Sequence, residues 1–352
     1  MKRIPRDPIR FDALDLFAFH GLEEQISLRS AEAADGFIFR MRTSIKGSLE
    51  NEALLYGLRA ERMFEALVVS LGRVSLIKQE DAGEIFASDD SLKVPDFRVI
   101  IPDGSQLLVE VKNYYQPGEA LKPFHIGEDY LRSLLQYSEL MRCNLKLAIY
   151  WARWNIWTLV SPATFPKEGG RTVLAFEDAM FANEMATLGD MGVGTRFPLR
   201  LRMVADRTKP RSIDPENLAR FTIGSVELYC GGQQILEPLE RRIATYLMFY
   251  GKWYYEGPFA EIVQGELEAI EHRWNPGEDH GQGFEIAGSL SSMFSSMYIQ
   301  ATMDEELVGQ VRMSFTPDLL GRLIPEGYKG KALPLWMFIQ KPSKREGEGK
   351  KG

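Results

Sequence analysis

Thiol and imidazole ligands are scarce in this chain. Its 352 residues contain two cysteines, Cys143 and Cys230, and four histidines, His20, His125, His272 and His280. With no CxxC pair and no histidine spacing that would assemble a ligand set, a zinc site of thiolate or imidazole type is nearly excluded. Two widely spaced cysteines in apolar surroundings read as buried thiols in a reducing cytosol, not as a disulfide. Long apolar runs are also missing: no 18 consecutive uncharged apolar residues occur, so no membrane span is expected. The basic N-terminus, MKRIPRDPIRFDALDLF, lacks the apolar stretch of a signal peptide, and the expected location is the cytoplasm. A positive charge excess is absent as well. The net charge is −7, so a nucleic-acid partner would need a local basic patch.

What is present is an ordinary globular balance, 45% apolar and 26% charged, long enough for two domains. Residues 51–71 place Leu54, Leu55, Leu58, Met63, Leu67 and Leu71 at helical spacing, and Gly72 ends the run. RVSLIKQE (73–80) reads as a strand. VPDFRVII (94–101) and QLLVEVKNYY (106–115) read as two strands joined by PDGS, a turn composition that suggests a hairpin. A helix over 127–142 leads into an apolar strand at 145–152 and another strand at 155–162. That order predicts a mixed α/β sheet flanked by helices.

The hairpin carries the charges of interest. Asp96 follows Pro95 at the start of one strand, and Glu110 and Lys112 sit two apart on the next, on one face. Phe97, Val99, Val109 and Val111 then face the opposite side, where a helix can cover them. Three charges in an apolar strand context are costly unless something binds there. Carboxylate oxygens suit Mg²⁺, a lysine can orient or deprotonate water or stabilise charge on a phosphate, and the Val111 carbonyl could complete a metal shell. The bland alternative is a solvated edge strand with Asp96 capping a turn.

Pro95-Asp96, thirteen intervening residues, then Glu110-Val111-Lys112 resembles the signature of the PD-(D/E)XK, or restriction-endonuclease-like, nucleases. The resemblance extends to the upstream helix, where Gly57-x-x-x-Glu61 matches a metal-site glutamate, with Glu65 one turn away as the competing candidate. It also extends to the helix after the lysine strand, where Tyr137 fits the tyrosine and Gln136 the glutamine of the repair and resolvase branches, although the usual spacing would put the glutamine at Ser133. It covers about residues 50–165. What it implies is a restriction-endonuclease-like fold and Mg²⁺- or Mn²⁺-dependent hydrolysis of DNA in restriction, phage defence or repair. Asp96, Glu110, Val111 and Glu61 would hold the metal, and Lys112 would act at the nucleophile. A catalytically silent binding module on the same scaffold, or an RNase, remains the alternative reading, and a homodimer is left open.

Beyond that stretch the expectations are coarser. Residues 1–45 form an N-terminal extension, 46–165 the nuclease core, 166–235 a helix (about 176–188) and a basic connecting segment, 236–342 a mainly helical, winged-helix-like domain, and 343–352 a disordered tail. Arg196, Arg200 and Arg202 head the basic run 196–211, a candidate phosphate-contacting surface or a solvated strand in equal measure. In the C-terminal part helices are expected at 239–250, 266–274 and 285–300, with the segments QVRMSFTP and ALPLWMFIQKP as wing strands.

Overall fold

The computed structural model describes residues 8–80, 86–87, 91–116, 122–168, 171–216 and 218–343. The N-terminal extension is helical: α1 (Pro8–Glu23) and α2 (Ala31–Leu49) form a helical pair ahead of α3 (Glu52–Leu71). The Asn51 side chain caps α3 by accepting from Leu54 N, and Gly72 closes it in the left-handed region at φ 69°.

A five-stranded mixed sheet follows, built from β1 (Leu76–Gln79), β2 (Phe97–Ile100), β3 (Gln106–Tyr114), β5 (Asn144–Trp151) and β6 (Ile156–Val160), in that order. Strand β3 pairs antiparallel with β2 and parallel with β5, Glu110 facing Leu147 and Lys112 facing Ile149. The crossover between β3 and β5 carries the short β4 (Phe124–Ile126) and α4 (Glu128–Leu140). The period-two alternation of β3 divides the core. Leu107, Val109 and Val111 join Phe64, Leu67 and Trp157 on the α3 side, whereas Leu108 joins Leu131 and Leu134 on the α4 side. β4 forms a small ribbon with β8 (Arg171–Leu174), which in turn pairs with β7 (Lys167–Glu168).

The expected helix at 176–188 is split. It becomes α5 (Phe176–Phe181) and a 3₁₀ turn at Met185–Leu188, broken where the Asn183 amide oxygen accepts from Leu159 N and Met185 N. Further on stand β9 (Gly192–Thr195), β10 (Leu199–Ala205), the small ribbon β11 (Ser212–Ile213) and β12 (Ala219–Arg220), then β13 (Ile223–Cys230), β14 (Gln233–Gln234) and α6 (Pro238–Tyr250). The C-terminal third differs from a winged helix. Residues expected to be helical at 266–274 are β16 (Glu266–Asn275), which pairs with β15 (Tyr254–Val263) and with β10 in a second five-stranded sheet, order β14-β13-β10-β16-β15. Glutamate, leucine and alanine favour a helix there, but Gln264 and Gly265 at φ 52° and 83° form a two-residue hairpin turn that sets the register Val263 to Glu266.

Likewise 285–300 begins as β17 (Glu285–Ser289) before becoming α7 (Leu290–Thr302), started by a capping box at Ser289. Residues 310–317 form no strand. After the short ribbon β18 (Met303–Asp304) and β19 (Leu307–Val308) and α8 (Leu319–Leu323), β20 (Leu335–Phe338) pairs with β9 instead of with a wing partner. One buried apolar cluster runs from α3 and the first sheet through α6, α7 and α8, joining Leu67 and Trp157 to Ile243, Phe294 and Leu320. Apart from Ser343, the tail lies outside the described residues.

Candidate active site

The 94–101 and 106–115 segments form the hairpin, with Phe97 opposite Val109, so Asp96 stands beside the strand position of Glu110. Asp96 turns one carboxylate oxygen toward the next strand and accepts from Val111 N at 2.7 Å. Glu110 is buried at 2% exposure, on the face that α4 covers. Its Oε1 accepts from Lys112 Nζ at 2.5 Å and from Tyr130 Oη at 2.6 Å. Tyr130 lies in the first turn of α4, and Lys112 sits 4.7 Å from its ring centroid. Glu61, half-buried on α3, lies within electrostatic reach of Asp96.

The electrostatics follow from this crowding. Burial, then the Glu110 carboxylate, then Glu61 push the Asp96 carboxyl up to about 8, against the lowering effect of the Val111 N–H. Burial works against the Lys112 ammonium, but Glu110 and then Tyr130 together more than offset it, and the lysine pKa lies above its ordinary value. Burial and Glu110 push the Tyr130 phenol up to about 12. The structure therefore brings Glu110, Lys112 and Tyr130 into direct contact, with Asp96 beside them on Val111 N and near enough to Glu110 and Glu61 to feel their charge. Hard oxygen donors packed this way suit a small divalent cation. As placed, however, no group of three or more His, Cys, Asp or Glu among the described residues is arranged to hold a metal.

Tyr137 and Gln136 are on α4, but they serve a neighbouring cluster. Tyr137 Oη donates to Glu80 Oε1 at 3.0 Å, and Arg98 holds the same carboxylate with Nη2 at 2.6 Å and Nε at 3.1 Å. Burial alone would raise Glu80, yet these donors keep its carboxyl below the ordinary value. Gln136 Oε1 accepts from Ser91 Oγ at 3.1 Å. Arg200 and Arg202 lie in the other five-stranded sheet, and Arg196 precedes β10. They are paired there: Arg200 with Glu271 at 3.1 Å, Arg202 with Glu227 at 3.0 Å and Glu261 at 2.6 Å. Arg207 and Arg211 meet Glu268 and Glu266 in the same manner. Cross-strand glutamates thus compensate most of the basic run.

Sequence reasoning missed Tyr130, Glu80 and Arg98. A signal for Tyr130 was present. Tyr130, Leu134 and Tyr137 repeat at helical spacing, and Leu134 is fully buried, so that stripe faces the sheet.

No protein-family model and no curated protein matches the chain. Among solved structures it is similar to Hjc, a Holliday junction resolvase from Archaeoglobus fulgidus, at 16% identity and a TM-score of 0.30, over 37% of this chain and 97% of that one.

Proposed function

We propose that the chain is a divalent-metal-dependent nuclease that hydrolyses phosphodiester bonds of DNA at the Asp96–Glu110–Lys112 site. The observation that carries this reading is the buried Glu110, bonded by Lys112, beside the half-buried Asp96, whose carboxyl feels the charges of both Glu110 and Glu61. Carboxyls gathered this closely are costly unless a proton or a cation neutralises one of them, and a cation that displaces the Asp96 proton would do so. Asp96, Glu110 and the Val111 carbonyl would hold Mg²⁺ or Mn²⁺, with Glu61 assisting. The cation would supply neutralisation of charge developing on the phosphate and a more acidic water.

The remaining roles belong to the chain. With its pKa above the ordinary lysine value, Lys112 is an ammonium. It is therefore suited to orienting the attacking water or donating to the phosphate, and not to removing a proton. Tyr130 donates to Glu110 and fixes the rotamer that presents Lys112. Incubation with plasmid, linear, single-stranded and branched DNA in Mg²⁺ or Mn²⁺ tests the proposal, with RNA in parallel. Asp96→Asn and Lys112→Ala are expected to lose on the order of 100-fold or more in rate. Cleavage at the wild-type rate in either variant rejects the site.

A second reading, a binding module without turnover, is favoured by one observation: Glu110 is already satisfied by Lys112 and Tyr130. Calorimetry with Mn²⁺ separates the two, because a binding-only protein shows no uptake that depends on Asp96 and Glu110.

A further inference from the structure

A buried cation stands on the flank of α3 without a counter-ion. Arg59 is 5% exposed. Its Nε donates to Thr302 Oγ1 at 2.8 Å, and its Cζ lies 5.7 Å from the Tyr298 ring centroid. Its Nη2 is buried and donates to no group among the described residues. The groups whose charge reaches it are the phenols of Tyr150, Tyr298 and Tyr56, and no carboxylate among the described residues pairs with it. Burial lowers the Arg59 pKa, yet a guanidinium does not lose its proton inside a protein, so the charge stays. The tyrosine ring offsets only part of the lost solvation. A buried charge left alone is costly until an ion of opposite sign meets it.

The surroundings share the imbalance. Arg59, Arg312 and Arg62 all act on the Tyr298 hydroxyl, set against the Glu65 carboxylate. Arg62 Nη1 and Arg312 Nη2 approach the same Glu65 oxygen, at 3.4 and 4.0 Å, so that carboxylate is committed to the other two arginines. Arg59 and Arg62 are three apart on α3, neighbours on the helix surface, where like charges repel. Arg312 lies beyond the end of α7, and its side chain is 61% exposed. The cluster therefore runs from a buried guanidinium to one in solvent.

We propose that Arg59 is the anchor of a phosphate-binding site between α3 and the 303–313 segment after α7, with Arg312 on its solvent side. A guanidinium presents planar N–H donors that match two oxygens of a tetrahedral oxyanion, so the unused Nη2 edge selects phosphate over a spherical halide. Arg62 and Arg312 add longer-range attraction for its second negative charge. Two sources carry such a group, a small phosphorylated compound and a nucleic-acid backbone. Arg59 and Glu61 project from α3 about 160° apart, at about 100° per residue. The site is thus separate from the Asp96 cluster, and the inference does not depend on the catalytic reading.

Thermal unfolding of the full chain with chelator, in sodium phosphate and in sodium chloride of equal ionic strength, tests it. Phosphate at about ten times its dissociation constant should raise the melting temperature by roughly 2 °C, and chloride should not. By calorimetry, Arg59→Met should bind inorganic phosphate at least about tenfold more weakly. Arg312→Gln, at an exposed position, should weaken it about threefold and serves should Arg59→Met fail to fold. Arg220→Gln removes the same charge from β12 and should change nothing. Lys112→Ala should keep the full phosphate response, and its loss there would place the anion at the catalytic cluster and overturn the proposal. A short DNA duplex, titrated with chelator present, identifies the source. Its affinity falls in Arg59→Met where the group belongs to a backbone, and holds where it belongs to a small compound. Equal stabilisation by phosphate and chloride overturns the proposal, as does a phosphate response unchanged in Arg59→Met and Arg312→Gln.

Discussion

At the scale of single residues, Asp96 governs how the site responds to pH. Its carboxyl is raised from an ordinary 3.8 to about 8, so the folded protein holds a proton there that the unfolded chain gives up. The stability that this group contributes to the metal-free protein should therefore be complete below the ordinary value and be lost as pH rises through about 8. In Asp96→Asn that decline should shrink. Melting temperatures at pH 5 and pH 8, with chelator present, measure it, and an unchanged slope would count against the buried carboxylate. A cation binds the deprotonated form, so Mn²⁺ affinity should weaken about tenfold per pH unit below 8. Calorimetry in buffers of different ionisation enthalpy should show proton release at pH 7. Tyr130 supplies a second prediction. Tyr130→Phe removes a hydrogen bond to a buried carboxylate, which costs on the order of 1–3 kcal/mol in stability by denaturant titration. It also loosens Lys112, so the cleavage rate should fall while Mn²⁺ affinity holds or rises.

At the scale of elements, some pieces were legible in the sequence because local chemistry and tertiary context agree. The β2–β3 hairpin is one: alternation, a turn-forming PDGS and Pro95 all point the same way, and Asp96, Glu110 and Lys112 fall where the alternation puts them. Helix α3 is another, with its cap at Asn51 and stop at Gly72. Where they disagree, tertiary pairing decided. Residues 266–275 have a helical composition, yet they are strand because β10 and β15 flank them. The turn residues Gln264 and Gly265 held the information, but a glycine after a glutamine is a weak signal beside Asn-Gly. Gly265 at φ 83° has open space around a would-be Cβ, so Gly265→Ala is strained only through its backbone. It should cost about 1 kcal/mol and lower the melting temperature by a few degrees, with the β-sheet circular dichroism retained. The site's partners were harder to read, because Tyr130 approaches Glu110 across twenty residues and a helix whose docking angle no local pattern encodes.

At the scale of the whole molecule, the site depends on segments far from it in the chain. Phe64 packs at a tilt against Phe97 and Trp157, at centroid distances of 5.9 and 5.5 Å. Trp157 Nε1 donates to Ser295 Oγ on α7 at 2.9 Å, and Tyr56 Oη donates to the Glu306 carbonyl at 2.6 Å. Arg59, two residues before Glu61 and buried, donates to Thr302 Oγ1 at 2.8 Å. The helix that presents Glu61 is thus fixed on its far side by the C-terminal part. Residues 46–165 alone would expose the α7-facing surfaces of Trp157 and α3 and leave the Arg59 guanidinium without its hydroxyl acceptor. That fragment should therefore fail to unfold cooperatively, and it should show weak amide protection in α3 while the full chain protects it. A milder perturbation in the intact chain addresses the same coupling. Phe294→Ala, fully buried on α7, should cost roughly 3–5 kcal/mol. Below the melting transition it should leave Mn²⁺ affinity at the Asp96 site within about threefold of wild type, because Phe294 lies in the shared core and is none of the residues proposed to hold the cation. A fragment that unfolds cooperatively, together with a Phe294→Ala chain as stable as wild type, would mean that the first sheet and its two helices stand alone and that the shared core holds nothing the site needs.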